Sequence, residues 1–186
     1  KTTKSSTLSP TQVPEKEEEI ISTIGEPSGK FGEMIIYVGD AHNVIKRIRT
    51  NHCSGNVEAS ALRRHVAEAK GYRIRSTRRS SGSTRVRIDL PNPRTGEMNV
   101  SEYIHSGKWR YVICNSYTEA NDFQWYAIEQ LNPALNRNRK PWNRGNLQRY
   151  QTLLAQLTSS PELNCDQLHG MQSDPGVYVL YHQQKP

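Results

Sequence analysis

Two short stretches decide how this chain is read: Met34-Ile35-Ile36-Tyr37-Val38-Gly39, and Pro175-Gly176-Val177-Tyr178-Val179-Leu180-Tyr181 near the C-terminus. Both are apolar, rich in β-branched and aromatic residues, and bounded by Gly or Pro, the pattern of short buried strands. Each holds a tyrosine two residues from a glycine, as Tyr37-Val38-Gly39 and Gly176-Val177-Tyr178. Such tripeptides arise readily by chance, so their meaning rests on what surrounds them.

Working outward, Val44, Ile45 and Ile48 fall on one face of a helix predicted over residues 41–50, which carries Lys46, Arg47 and Arg49. Ser60 is placed to cap a second helix over 61–70, with Leu62, Val66 and Ala69 inward and Gly71 as its stop. Residues 76–84 read as a loop or hairpin tip, 86–90 as a strand and 91–96 as a turn, while Ser101 caps a single helical turn ending near His105. Residues 109–117 read as a strand. A long helix over 119–131 carries Phe123, Ala127 and Ile128 and stops before Pro133. Leu147, Tyr150, Leu153, Leu154 and Leu157 mark a last helix. The expected architecture is an α+β domain over 33–186, with a small central antiparallel sheet flanked by helices and a basic insertion at about 70–100. Residues 1–32, rich in Ser, Thr, Pro and Glu, read as a flexible arm.

The 186 residues carry a formal charge of +7 and a hydrophobic content of 34%. The isoelectric point near 9.4 and the mean hydropathy of −0.81 point to a small core with a large polar surface and a polyanionic partner. Lys70, Arg73, Arg75, Arg78, Arg79, Arg85 and Arg87 form a run with no acidic residue inside it. A solvated loop would explain such a run, but cations without partners repel one another unless phosphates lie near, which favours DNA. Arg49, Arg63, Arg64, Arg137, Arg139, Lys140 and Arg144 join them as candidate DNA contacts. Cys53, Cys114 and Cys165 are odd in number and far apart, so neither a disulfide framework nor a zinc site is expected, and a reducing cytoplasm is the simpler reading. No apolar run approaches a membrane span.

Further motifs stand at ordered distances from the Tyr37 strand. Arg47 lies ten residues on, in Lys46-Arg47-Ile48-Arg49-Thr50-Asn51-His52. Then come Ala61-Leu62-Arg63-Arg64-His65, Val100-Ser101-Glu102-Tyr103-Ile104, and the stretch from Phe123 to Leu131 with Asn132-Pro133-Ala134-Leu135-Asn136. Together these resemble the GIY-YIG nuclease family over residues 33–143 and 175–182. The resemblance implies a metal-dependent, sequence-specific endonuclease acting on double-stranded DNA, of the type II restriction kind, with Mg2+ or Mn2+ as cofactor. It assigns Tyr178 or Tyr37 to the attacking water, Arg47 (with Arg49 as an alternative) to the phosphate, His52 to a tyrosine hydroxyl, and Asn136 to bracing the site. A palindromic target would call for a homodimer or two sequential nicks.

Two departures qualify the resemblance. The family places its Gly-x-Tyr strand before its Tyr-x-Gly strand, whereas this chain has them in circularly permuted order. The family's metal-binding glutamate falls twelve positions before the final asparagine, which is Gln124 here. A neutral amide binds a hard cation poorly, so either this form is inactivated or Glu129 or Glu119 substitutes. Asp40 also stands where many members carry lysine. The alternatives are a homing or repair nuclease, or a non-catalytic DNA-binding protein on the same fold.

Overall fold

The computed structural model describes residues 33–171 and 174–186, so the arm assigned to residues 1–32 lies outside the described residues. The strand β1 (Met34–Ala41) leads through a short helix α1 (Val44–Lys46) into a π-helical turn, Arg47–Cys53. Asn43 caps α1 by accepting from the Lys46 amide at 2.8 Å. One helix was expected over 41–50; the backbone instead widens at Arg47, in keeping with the tendency of π-turns to occur at functional sites. Ser60 does cap α2 (Ala61–Ala69), accepting from the Arg63 amide, and Gly71 stops it at φ 84°.

The basic run folds into a hairpin of β2 (Ile74–Arg78) and β3 (Thr84–Ile88). The turn expected at 91–96 and the single turn expected at 101–105 are corrected. Pro93–Ser106 is one 14-residue helix, α3, capped by Asn92 and opened by Pro93. Proline suits that first position because its missing N–H would have had no partner there. β4 (Lys108–Ile113) is followed by α4 (Tyr117–Leu131), capped by Ser116, then α5 (Leu147–Ser159) and finally β5 (Gly176–His182).

The main sheet has the order β1-β5-β4 and is antiparallel throughout. The C-terminal strand thus pairs with the first one, Gly39 opposite Tyr178 and Ala41 opposite Gly176. Among the described residues β5 is central, with every residue buried, and β1 is an edge. That edge is covered where Ala134 and Leu135 donate to the carbonyls of Ile35 and Ile36, which keeps its free N–H and C=O groups from recruiting another chain. Ile36 is bulged out of the β1–β5 register.

Two apolar layers enclose the sheet. One packs Ile36, Trp109, Tyr178 and Leu180 against Ile48, Leu62, Val66, Val100 and Ile104 from the π-turn, α2 and α3. The other packs Val38, Val177, Val179 and Tyr181 against Phe123, Ala127, Tyr150, Leu153 and Leu157 from α4 and α5. The expectation of no disulfide is also corrected. Cys53 and Cys165, 112 residues apart in sequence, lie with their Cα atoms 6.2 Å apart and are bonded, because the π-turn and the segment before β5 pack together, a proximity that spacing along the chain does not reveal. No helix among the described residues is long and apolar enough to cross a membrane.

Candidate functional site

The site grows from the ladder between β1 and β5. Tyr178 lies opposite Gly39, and any side chain at 39 would overlap the Tyr178 ring and hydroxyl. At the other glycine, Gly176, a side chain would overlap the Val112 carbonyl of β4. The two glycines are therefore required by close approach of ring and backbone. With the ring seated across Gly39, the Tyr178 hydroxyl meets His52 Nε2 at 2.7 Å, and His52 Nδ1 meets Ser60 Oγ at 2.7 Å. His52 is fully buried and stacks on Trp109, with centroids 5.8 Å apart and planes 10° from parallel.

The electrostatics of this relay have clear directions. Burial, and then the cations Arg47 and Arg63, hold His52 well below the ordinary imidazole range, so it is neutral at pH 7. Burial is also the main force raising Tyr178 and Tyr37 above the ordinary phenol range; Arg47 opposes it at both, and Asp40 reinforces it at both. Both phenols therefore keep their protons at neutral pH. Tyr178 is 1% exposed, whereas Tyr37 is half-buried and opens toward solvent. Of the two tyrosines assigned to the attacking water, Tyr37 is the one at the surface.

Tyr37 lines a cleft of about 310 Å3 that wraps the β1 edge. From α2 come Arg64, His65 and Glu68, from α4 Gln124 and Trp125, and from the covering segment Asn136 and Arg137. Asn136 bonds both polar groups of Val38, its Oδ1 accepting from the amide at 2.8 Å and its Nδ2 donating to the carbonyl at 2.9 Å. It extends the edge pairing by one side chain, which pins the cleft wall. His65 and Glu68 were not singled out from the sequence. They are placed here by the α2 surface they share with Arg64, and their one-turn spacing from Ala61 and Arg64 was the available signal.

Several assignments change. Arg63 was expected on DNA but is fully buried: Nη1 donates to the His52 carbonyl at 2.8 Å, and Nη2 bonds the Glu97 carboxylate at 2.8 Å and Ser101 Oγ at 3.0 Å. It joins the π-turn to α3. The alternative carboxylates are engaged away from the cleft, Glu129 by Trp142 Nε1 at 2.7 Å and by Arg144, Glu119 by Arg149 at 2.9 Å. Arg49 pairs with His169 at 2.8 Å. The supposedly unpartnered basic run has partners from outside itself: Arg79 meets Glu58 at 2.7 Å and Arg75 approaches Asp89 at 3.8 Å. Arg73, Arg78, Arg85 and Arg87 are exposed.

The donor set in the cleft does not fit Mg2+ or Mn2+. Gln124 offers an amide, Asn136 is committed to Val38, and the cleft carboxylate Glu68 lies 2.6 Å from Arg137. Hard cations want several anionic oxygens, and among the described residues no cluster of carboxylates and histidines has such spacing here. Arg75, Arg85, Arg87 and Arg94 also line a groove of about 790 Å3 between the hairpin and the start of α3, together with Asn56 and Thr77. No family model, curated protein or solved structure was found to match this chain.

Proposed function

We propose that this chain is a GIY-YIG-type DNA endonuclease scaffold, in circularly permuted order, that grips a backbone phosphate of duplex DNA at the Tyr37 cleft without cutting it in the present form. The observation that carries the proposal is the convergence of Tyr37, Tyr178, Arg47 and His52 at the β1–β5 ladder, with Gln124 and Asn136 on the adjoining cleft. The residues of the chain suit phosphate binding. Arg47 and Arg64 are permanent cations, and guanidinium binds phosphate oxygens through paired N–H groups. A Tyr37 that keeps its proton donates a hydrogen bond to a phosphoryl oxygen, but is a poor base. Neutral His52 fixes the Tyr178 hydroxyl through Nε2 and is itself held through Nδ1 by Ser60. Gln124 supplies no negative charge, so hydrolysis lacks its metal anchor. The exposed arginines of the hairpin and of its groove suit contacts to backbone phosphates.

Substituting Gln124→Glu tests this reading. With Mg2+ or Mn2+, the variant is expected to convert supercoiled plasmid to nicked or linear DNA, while the parent chain binds the same DNA and leaves it intact. The second reading, a DNA-binding protein with no catalytic role, is favoured by Asp40 beside both phenols and by the Arg137–Glu68 pair. Duplex binding without cleavage by the Gln124→Glu variant would select it. If neither protein binds duplex DNA at low salt, both readings fail.

A further inference from the structure

Away from the cleft, three donors converge from distant parts of the chain: Cys53 at the end of the π-turn, His105 in the last turn of α3, and Cys165 just before a 3-10 turn, Asp166–Leu168. One ligand atom of each lies within 4.8 Å of the other two. Both cysteines are nearly buried, at 3% and 5% exposure, while His105 is exposed. Two contacts besides the disulfide tie this corner together. The His105 ring reaches the Cys53 carbonyl at 3.3 Å, and Arg49 of the π-turn holds His169 of the Cys165 segment at 2.8 Å.

We propose that this corner is a metal site, for a soft or borderline divalent cation such as Zn2+, filled when the Cys53–Cys165 bond is reduced. Two thiolates and an imidazole are the donors that Zn2+ prefers and that Mg2+ and Ca2+ refuse. Three protein donors would leave one tetrahedral position for water or a further ligand. Oxidised and metal-bound states exclude one another, because the ion needs two thiolates and the sulfurs of a disulfide are neutral, weak donors. The interconversion balances with a dithiol as reductant. The S–S bond breaks on taking up two electrons and two protons from the dithiol, which closes to its own disulfide. Zn2+ then displaces the two thiol protons, one from Cys53 and one from Cys165. In either state the staple ties the turn bearing Arg47 and His52 to the segment that feeds β5 and Tyr178. The site stands on geometry independent of the DNA-binding reading.

The experiment reduces the full chain with excess dithiol, desalts it without oxygen, and titrates it with Zn2+ and, separately, Co2+. Native mass measurement is expected to show one Zn2+ per reduced chain and none per oxidised chain. The Co2+ form is expected to show thiolate-to-metal charge transfer and the visible bands of tetrahedral cobalt. Cys53→Ser is expected to abolish both signals. His105→Ala is expected to bind at least about tenfold more weakly while still forming the disulfide on oxidation, which separates a ligand from a structural neighbour. A reduced chain that retains no Zn2+ overturns the proposal. So does a Co2+ complex without thiolate bands, or a His105→Ala variant that binds as tightly as the parent.

Discussion

Gly39 and His52 are both held against Tyr178. A methyl group at 39 points into the Tyr178 ring, so Gly39→Ala is expected to lower the unfolding free energy by about 1–3 kcal/mol, the usual cost of overpacking. In a Tyr178→Ala background that cost should vanish, because the clash partner is gone; urea unfolding of the four proteins of the cycle reads this. An undiminished cost would mean that Gly39 is required for another reason. His52 makes a prediction in pH. Its folded value is depressed by burial and by Arg47 and Arg63, so only the unfolded chain takes up a proton as pH falls below about 6.5. Stability contributed by neutral His52 is therefore present above that pH and lost below it, with a slope of about 1.4 kcal/mol per pH unit for one proton. His65 and His182 are shifted the same way and add to the slope. His52→Gln should remove one proton's share of it in urea titrations between pH 6.5 and 5. An unchanged slope would show that His52 titrates alike in both states.

At the scale of elements, the β2–β3 hairpin and the α3 start form a cationic wall that the main sheet does not need. Its arginines are mostly exposed, and the side chains of β2 are only thinly covered. If it lies against DNA, Arg75, Arg85 and Arg87 each neutralise a phosphate, and replacing all three by Ala should flatten the plot of log affinity against log salt by about 2.7, or roughly 0.9 per contact. Fluorescence anisotropy with a short duplex measures this, and a slope equal to the parent's would remove the hairpin from the interface. The hairpin was legible as a tip between two basic stretches, since Ser, Gly and Arg alternate there without apolar support. The extent of α3 was not. Gly96 and the Pro91–Pro93 region imitate a turn, yet Gly96 packs its bare backbone on Ile88 and Leu90, so the helix passes through a residue that its local propensity disfavours. The π-turn was equally hidden. Its apolar spacing reads as an ordinary helix, and only the packing of Ile48, His52 and Cys53 reveals the wider winding.

For the whole molecule, the Cys53–Cys165 link closes a long loop between the two halves of the site. Reduction in the presence of a chelator, which also keeps metal away, should lower the unfolding free energy by about 2–4 kcal/mol, seen as a lower urea midpoint. An unchanged midpoint would mean that packing alone holds the corner. From the residues themselves came the α+β class, most of the helices, the Ser60 cap of α2, and the two tyrosine strands. Those features depend on periodicity, capping and glycine placement, which act over a few neighbours. Which strand is central, that Arg63 is buried against Glu97, that His65 and Glu68 share the cleft with Gln124, and that Cys53 meets Cys165 were decided by the tertiary structure. Each depends on which apolar faces bury one another across the sheet, and contacts between residues so far apart in sequence leave no local pattern from which to read them.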